Sequence, residues 1–266
     1  MFLKSYWSRR KENEMKRCIS IFMILLMGSS LLAFDKDDDW KSRRKRGFFR
    51  GGAGGWDVYM LPLKVGEINT KLSDVIGIGE FNDNIFLTGG GGWGYVGKSI
   101  RIGGMGFCGF TVSEGAPDPG QIQKEITLSL GFGGFLIEKS FHPFNNSEIY
   151  FGTMIGGGSA SLELIQWSGP SSWNNVWKGY SIDTIIDTTN NYYDYKTELQ
   201  SEFFVLMPTI GFRYNIFRWC AIGANVGYLY THMDQRGWKS EGRRISNVPK
   251  IDFSNTVYRF NVYFGG

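Results

Sequence analysis

The chain has 266 residues, of which 37 are Gly, 16% are aromatic and 20% are charged. Glycine at about twice its average frequency, beside abundant aromatics, disfavours a helix bundle. The formal charge of +4 arises in the first 33 residues, whose six Lys/Arg and two Asp/Glu leave 23 of each sign in the remainder; a near-neutral mature chain excludes nucleic acid as a partner.

Met15-Lys16-Arg17 followed by CISIFMILLMGSSLLA has the basic start, apolar core and small-residue end of a signal peptide over residues 1–33, with the start at Met15 as an option. The apolar run is shorter than the roughly 20 residues a spanning helix needs, so cleavage near Ala33 is expected. Residues 34–47 form a charged spacer, DKDDDWKSRRKR at its centre. It reads as a solvated tail, with contact to phosphate or acidic lipid as the functional alternative.

Residues 48–266 read as one barrel domain. The first strand covers Phe48–Leu61 and is expected to end at Pro62, which cannot donate to a ladder. In residues 66–81, Ile68, Leu72, Val75 and Ile76 stand at helical spacing and predict a short helix inside the first long loop. The glycine-rich segment NIFLTGGGGWGYVGKSIRIGGMGFCGFTVS then predicts two paired strands turning at Gly97-Lys98. A fourth strand is expected at about 121–139 and a fifth at about 148–165. The segment 166–198 is long, aromatic and without a clear period. Strands six to eight follow at about 199–214, 216–232 and 253–264. Ile126, Leu128, Leu130 and Phe132 alternate with Glu125, Thr127 and Ser129, the period of a strand with two unlike faces.

Long and tight connections alternate along this order, which puts every long loop at one end of the barrel and every tight turn at the other. The strands exceed the five or six residues usual in soluble sheets. Aromatics gather at both strand ends. Trp93, Tyr95, Phe141, Phe144, Tyr214, Phe217, Trp219, Tyr263 and Phe264 are expected at the inner rim. Trp56, Tyr59, Phe110, Trp167, Tyr228 and Tyr230 are expected at the outer rim, the two belts of a spanning barrel. The fold class is therefore all-β: a closed antiparallel up-and-down barrel of about eight strands, in a bacterial outer membrane, with the lipid bilayer as partner. A periplasmic or secreted location is the alternative.

An eight-stranded lumen holds side chains only. Arg101, Glu125, Asn225, Arg259 and Asn261 are expected to point inward as a hydrogen-bonded polar core. Cys108 and Cys220 lie in strands far apart, without a CxxC pair, and read as small wall residues; neither a disulfide nor a metal site is expected, and no cofactor. His142 and His232 are the two histidines, and neighbours in THMD point to opposite faces of a strand, so no catalytic residue is assigned. The glycine runs lack the strand-to-helix junction of a phosphate loop and read as room for curvature.

The order of strands, loops and aromatics over residues 48–266 resembles small eight-stranded outer-membrane barrels of the OmpX and OmpA-transmembrane type. The pattern FLTGGGGWGYVG with RIGGMG also resembles glycine-rich strand segments of bacterial proteins without an assigned function. Residues 166–198, too long and aromatic for a mere connector, point to a non-enzymatic role, structural or through contact of the long outer loops with lipopolysaccharide or another surface partner. Two other readings stand beside it. One is a soluble exported barrel that binds an apolar ligand or assembles with itself, which the mean hydropathy of −0.20 permits. The other is a lipid-modifying outer-membrane enzyme.

Overall fold

Eight antiparallel ladders tie the strands to one another, and the last of them joins the C-terminal strand to the first. This is seen in a computed structural model that describes residues 49–73, 78–96, 99–115, 123–144, 146–167, 195–217, 219–249 and 251–265. The signal segment, the charged spacer, the turn at Gly97-Lys98 and residues 168–194 of the long aromatic segment lie outside the described residues. The strands are β1 (Phe49–Pro62), β2 (Asn84–Val96), β3 (Ile100–Glu114), β4 (Gln123–Phe141), β5 (Ser147–Trp167), β6 (Tyr195–Phe217), β7 (Cys220–Met233), the short β8 (Lys239–Ser240) and β9 (Arg243–Arg244), and β10 (Asn255–Gly265). β1 to β7 and β10 form the closed ring.

Partners can be followed once around the wall. Tyr214 faces Ile222, then Val262, Trp56, Gly90, Gly106, Gly133, Gly157 and finally Phe204. The circuit returns to β6 ten residues from its start, a stagger that tilts the strands about 40° from the barrel axis. Both described chain ends, Phe49 and Gly265, lie at the end with the tight turns.

Three details differ from the sequence expectation. Pro62 is the last residue of β1 and pairs with Asn84. It is tolerated because the ladder to β10 stops at Met60, so no donor is needed on that side. The helix α1 covers Gly66–Ser73, eight residues of the expected 66–81, and residues 74–77 are outside the described ones. The Asn69 amide grips the backbone N–H and carbonyl of Phe81, which fastens the return of the loop. β8 and β9 were not legible as strands. They form a hairpin turning at Glu241-Gly242, both at positive φ, and β8 pairs with Leu199 and Gln200 of β6 after β7 has ended.

The outward face of β6 shows how the wall meets its surroundings. Phe204, Leu206, Pro208, Ile210, Phe212, Tyr214 and Ile216 alternate with inward residues and are all exposed. Twelve residue steps at about 3.3 Å, tilted about 40°, rise about 30 Å, the thickness of a bilayer's hydrocarbon core. Beyond Phe204 the same face turns polar at Glu202, Gln200, Glu198 and Lys196. On β5 it changes from Ile149, Phe151 and Ile155 to Ser159, Ser161 and Glu163. β5 and β6 thus run well past the apolar belt as a solvated ladder, which is why they exceed their expected lengths.

The belt corrects the assignment of four aromatics. Trp93, Tyr95 and Tyr263, expected at the inner rim, turn into the lumen, as does Tyr59, expected at the outer rim. Parity decides it: these residues share a face with the buried Leu87 and Asp57. Phe141, Phe217, Trp219 and Phe264 do stand exposed at the inner rim, the last three stacked in series. Trp167 carries no described side chain. Cys108 and Cys220 are thiols not joined to each other.

Candidate functional site

The lumen is filled by two layers of opposite character. Toward the long loops it is apolar, with Leu61, Ile85, Leu87, Phe107, Leu128, Leu130, Phe132, Val205 and Leu229 among the buried residues. Ile68 and Leu72 of α1, with Phe81, Trp238 and Phe253 of the loops, cap this layer. Toward the tight turns the lumen is charged.

There an alternating chain of six ionic groups crosses the barrel. Asp57 on β1 lies 3.8 Å from Arg259 on β10, and Arg259 lies 3.9 Å from Glu138 on β4. Glu138 pairs with Arg101 on β3 at 2.7 Å, and Arg101 with Glu148 on β5 at 2.5 Å. Glu148 meets Arg213 on β6 at 3.5 Å. Three cations and three anions leave the chain neutral, and no side chain in it is more than 4% exposed. Phenols hold it to the wall: the Tyr263 hydroxyl donates to Asp57, and the Tyr150 oxygen accepts from both Asn225 and Arg259. Guanidinium groups lie over ring faces, Arg101 at 4.3 Å from Trp93 and Arg213 at 4.3 Å from Tyr263. Arg213 leaves Nε and Nη2 without hydrogen-bond partners and faces rings instead. Gly211 is required here, because a Cβ on it would stand 2.5 Å from the Tyr150 ring.

Of the residues singled out from sequence, Arg101 and Arg259 are links of this chain, and Asn225 and Asn261 lie buried beside it. Glu125 does not join them. It stands on the parity opposite to Ile126's apolar row, at the loop end, accepting from Thr127 Oγ1 at 3.2 Å. The expected orientation of β4 is reversed because the lumen at that height is packed with apolar side chains; Glu125, on the other face of the strand, is itself buried at 4% exposure. Asp57, Glu138, Glu148 and Arg213 escaped the sequence reading. Their one signal was parity with neighbours now seen to be inward, such as Arg213 with Val205 and Met207.

Chemically, this arrangement links the strands to one another across the lumen. Every charge is matched, the apolar layer seals it on one side, and Trp93 and Tyr95 cover it on the other. His232 faces outward beside Phe204, and His142 lies in an exposed turn, so neither approaches the charged groups.

A second polar cluster clasps the loops over the outer mouth. Asp252 accepts hydrogen bonds from the Ser254 N–H at 2.9 Å and the Thr231 hydroxyl at 3.2 Å, with Lys64 at 4.0 Å. Thr231 N–H donates to the Ser254 hydroxyl, and the Asn255 amide donates to the Pro62 carbonyl. Partial burial pushes the Asp252 carboxyl up, but the bonds from Ser254 and Thr231 and the Lys64 cation outweigh it and hold it below its usual range. A carboxyl lowered in the folded state stabilises fully above its unfolded value of about 3.9 and loses that contribution as pH falls below it. The protection of the 231–254 backbone amides, measured against their intrinsic exchange rate at each pH, is therefore expected to fall between about pH 5 and 3, by a factor reflecting less than about 1 kcal/mol because the pair is half exposed. Asp252→Asn should flatten that dependence; an unchanged slope would remove the clasp.

No family model matches the chain, and no curated protein sequence matches it. Among solved structures it is similar to Ail, the attachment invasion locus protein of Yersinia pestis, in complex with the heparin analogue sucrose octasulfate, at 10% identity over 80% of this chain and 97% of that one, with a TM-score of 0.35. It is also similar to the outer membrane protein OprG from Pseudomonas aeruginosa, at 11% identity over 81% and 96% of the two chains, with a TM-score of 0.37. Overlaps this loose add nothing to the ring of ladders, which by itself makes the chain an eight-stranded antiparallel barrel.

Proposed function

We propose that this protein is a non-enzymatic outer-membrane barrel with a closed lumen, whose contacts are made by the strand extensions and loops beyond the outer rim. The observation that carries the reading is the belt. Exposed Phe204, Ile210, Phe212, Phe260, Val226 and Phe135 lie within one apolar band around the barrel, which gives way to polar residues on β5 and β6. In water such a continuous apolar girdle would be an aggregation surface; in hydrocarbon it is the required face. Closure of the lumen by side chains and capping loops argues against a solute path. The solvated ladder of β4, β5, β6 and the β8–β9 hairpin, with the 168–194 segment between β5 and β6, is where a lipopolysaccharide or protein partner would meet the chain.

Fractionation and gel mobility test this. Unheated protein should resist SDS, run differently from boiled protein, and sediment with outer membranes. Release as soluble protein without detergent, with no mobility difference, would sink the reading and favour a secreted barrel.

A further inference from the structure

We propose that a groove in the outward face of β6, β7, β10 and β1 holds one acyl chain of an inner-leaflet phospholipid. The inference rests on the membrane-spanning reading above and adds a ligand and a place to it. The groove has a volume of about 420 Å³. Its floor is Ala224 on β7 and Val262 on β10, and exposed Phe212 and Phe260 rise on either side of Ala224. Tyr214 stands at one end and Trp56 at the other. The Trp56 indole N–H donates to the Thr88 hydroxyl at 2.8 Å, which fixes the ring as a wall and leaves its carbon face free for a ligand. Asn261, which also borders the groove, is buried and turned to the lumen.

Width and height choose the occupant. Phe212 and Phe260 stand two ladders apart, about 10 Å. One row of chain carbons touching both needs about 8 Å and two rows about 12 Å, so a single chain fits. Tyr214 lies two residues from Ile216, the innermost outward residue of the apolar run on β6, and so about 5 Å above it. From Tyr214 the circuit crosses three ladders to Trp56 and climbs about 9 Å toward the loop end. The groove therefore lies in the inner half of a hydrocarbon core about 30 Å thick. A phospholipid of the inner leaflet reaches it from the rim where Phe217, Trp219 and Phe264 stack. Lipopolysaccharide chains, from the other leaflet, cover the other half. Inside hydrocarbon the hydrophobic effect does not distinguish a groove from a flat wall, but van der Waals contact does, and a chain here meets atoms on three sides. A second barrel would bring a convex wall and leave the groove unfilled.

Native mass spectrometry of the full chain, extracted from outer membranes in mild detergent, tests this. The parent should carry one phospholipid through washes that strip the rest. Ala224→Phe fills the floor from the lipid side and should lower that retention about tenfold, the equivalent of about ten carbon contacts. Phe260→Ala removes a wall and should act in the same direction. Ile137→Phe, on the outward face of β4 across the barrel, should leave retention as it is. Unheated and boiled gel mobilities show that each variant has closed its barrel. Equal retention by the parent and Ala224→Phe, both in outer membranes, overturns the groove and leaves the spanning barrel standing. Retained lipopolysaccharide overturns the inner-leaflet assignment, and a dimer that Ala224→Phe abolishes gives the groove to a second copy instead. Protein that is soluble without detergent overturns the membrane reading and the groove with it.

Discussion

Arg101→Met is expected to destabilise the barrel by about 3–5 kcal/mol, the cost of leaving buried charges without their partner. Arg101 is the central link of the ionic chain, within 2.7 Å of Glu138 and 2.5 Å of Glu148. Without it Glu138 retains only Arg259 at 3.9 Å, and Glu148 only Arg213 at 3.5 Å. Methionine fills much of the volume, so the loss reports charge rather than a cavity. Removing Glu138 together with Arg101, as R101M/E138Q, restores neutrality and should cost less than the sum of the single changes by about 1–3 kcal/mol. Urea unfolding of the detergent-folded protein, followed by tryptophan fluorescence, measures both. A single variant within about 0.5 kcal/mol of the parent, or strict additivity in the pair, would show that the chain of charges does not hold the wall. The chain is no argument that the barrel is unusually stable, since an apolar core of equal volume can do as well. What it does is link β1, β10, β4, β3, β5 and β6 across the lumen, so that an error in the position of one strand unmatches a charge on another.

How much of this could be read in advance follows from which faces were distinct. On β10, Tyr258, Phe260, Val262 and Phe264 alternate with Arg259 and Asn261, and a polar lumen opposite an apolar outside is unambiguous there. On β4 the same logic failed. Ile126, Leu128 and Leu130 look like a lipid face and Glu125, Thr127 and Ser129 like a lumen face, yet the loop-side lumen is apolar and the wall at that height stands above the belt. Periodicity gives two faces but does not say which is inside; height along the axis decides it, and height depends on the stagger of all eight strands. On β6 both faces are apolar for most of the belt, so Thr209 and Arg213 carried what mark of orientation there was. The ring, its order and its loop asymmetry were legible because they depend on local chain properties: strand length, tight turns and glycine. Glu138 and Glu148 were not, since each gains its meaning from Arg101 across the lumen.

Gly156 and Gly157 allow a second large effect to be separated from composition. They are consecutive on β5, opposite Gly134 and Gly133 of β4. Gly156 is on the inward parity. A Cβ there would fall inside the carbonyl oxygen of Gly133 and stand 2.5 Å from the Gly134 Cα, backbone atoms that cannot swing aside. Gly157 faces outward and is exposed; a Cβ there meets only the Phe203 carbonyl at 3.6 Å, an ordinary contact. Inward positions of a wall so tightly curved converge on their neighbours, while outward positions diverge. Gly156→Ala is therefore expected to cost upwards of about 3 kcal/mol, or to prevent closure between β4 and β5 altogether. Gly157→Ala should be neutral or up to about 1 kcal/mol stabilising, because it lowers the freedom of the unfolded chain without touching the folded one. The unheated and boiled gel mobilities of the two variants give the qualitative answer, and urea midpoints give the magnitude. Equal behaviour of the pair would mean that the glycines are not there to let backbones approach, and the inward and outward faces of β5 would have to be reassigned.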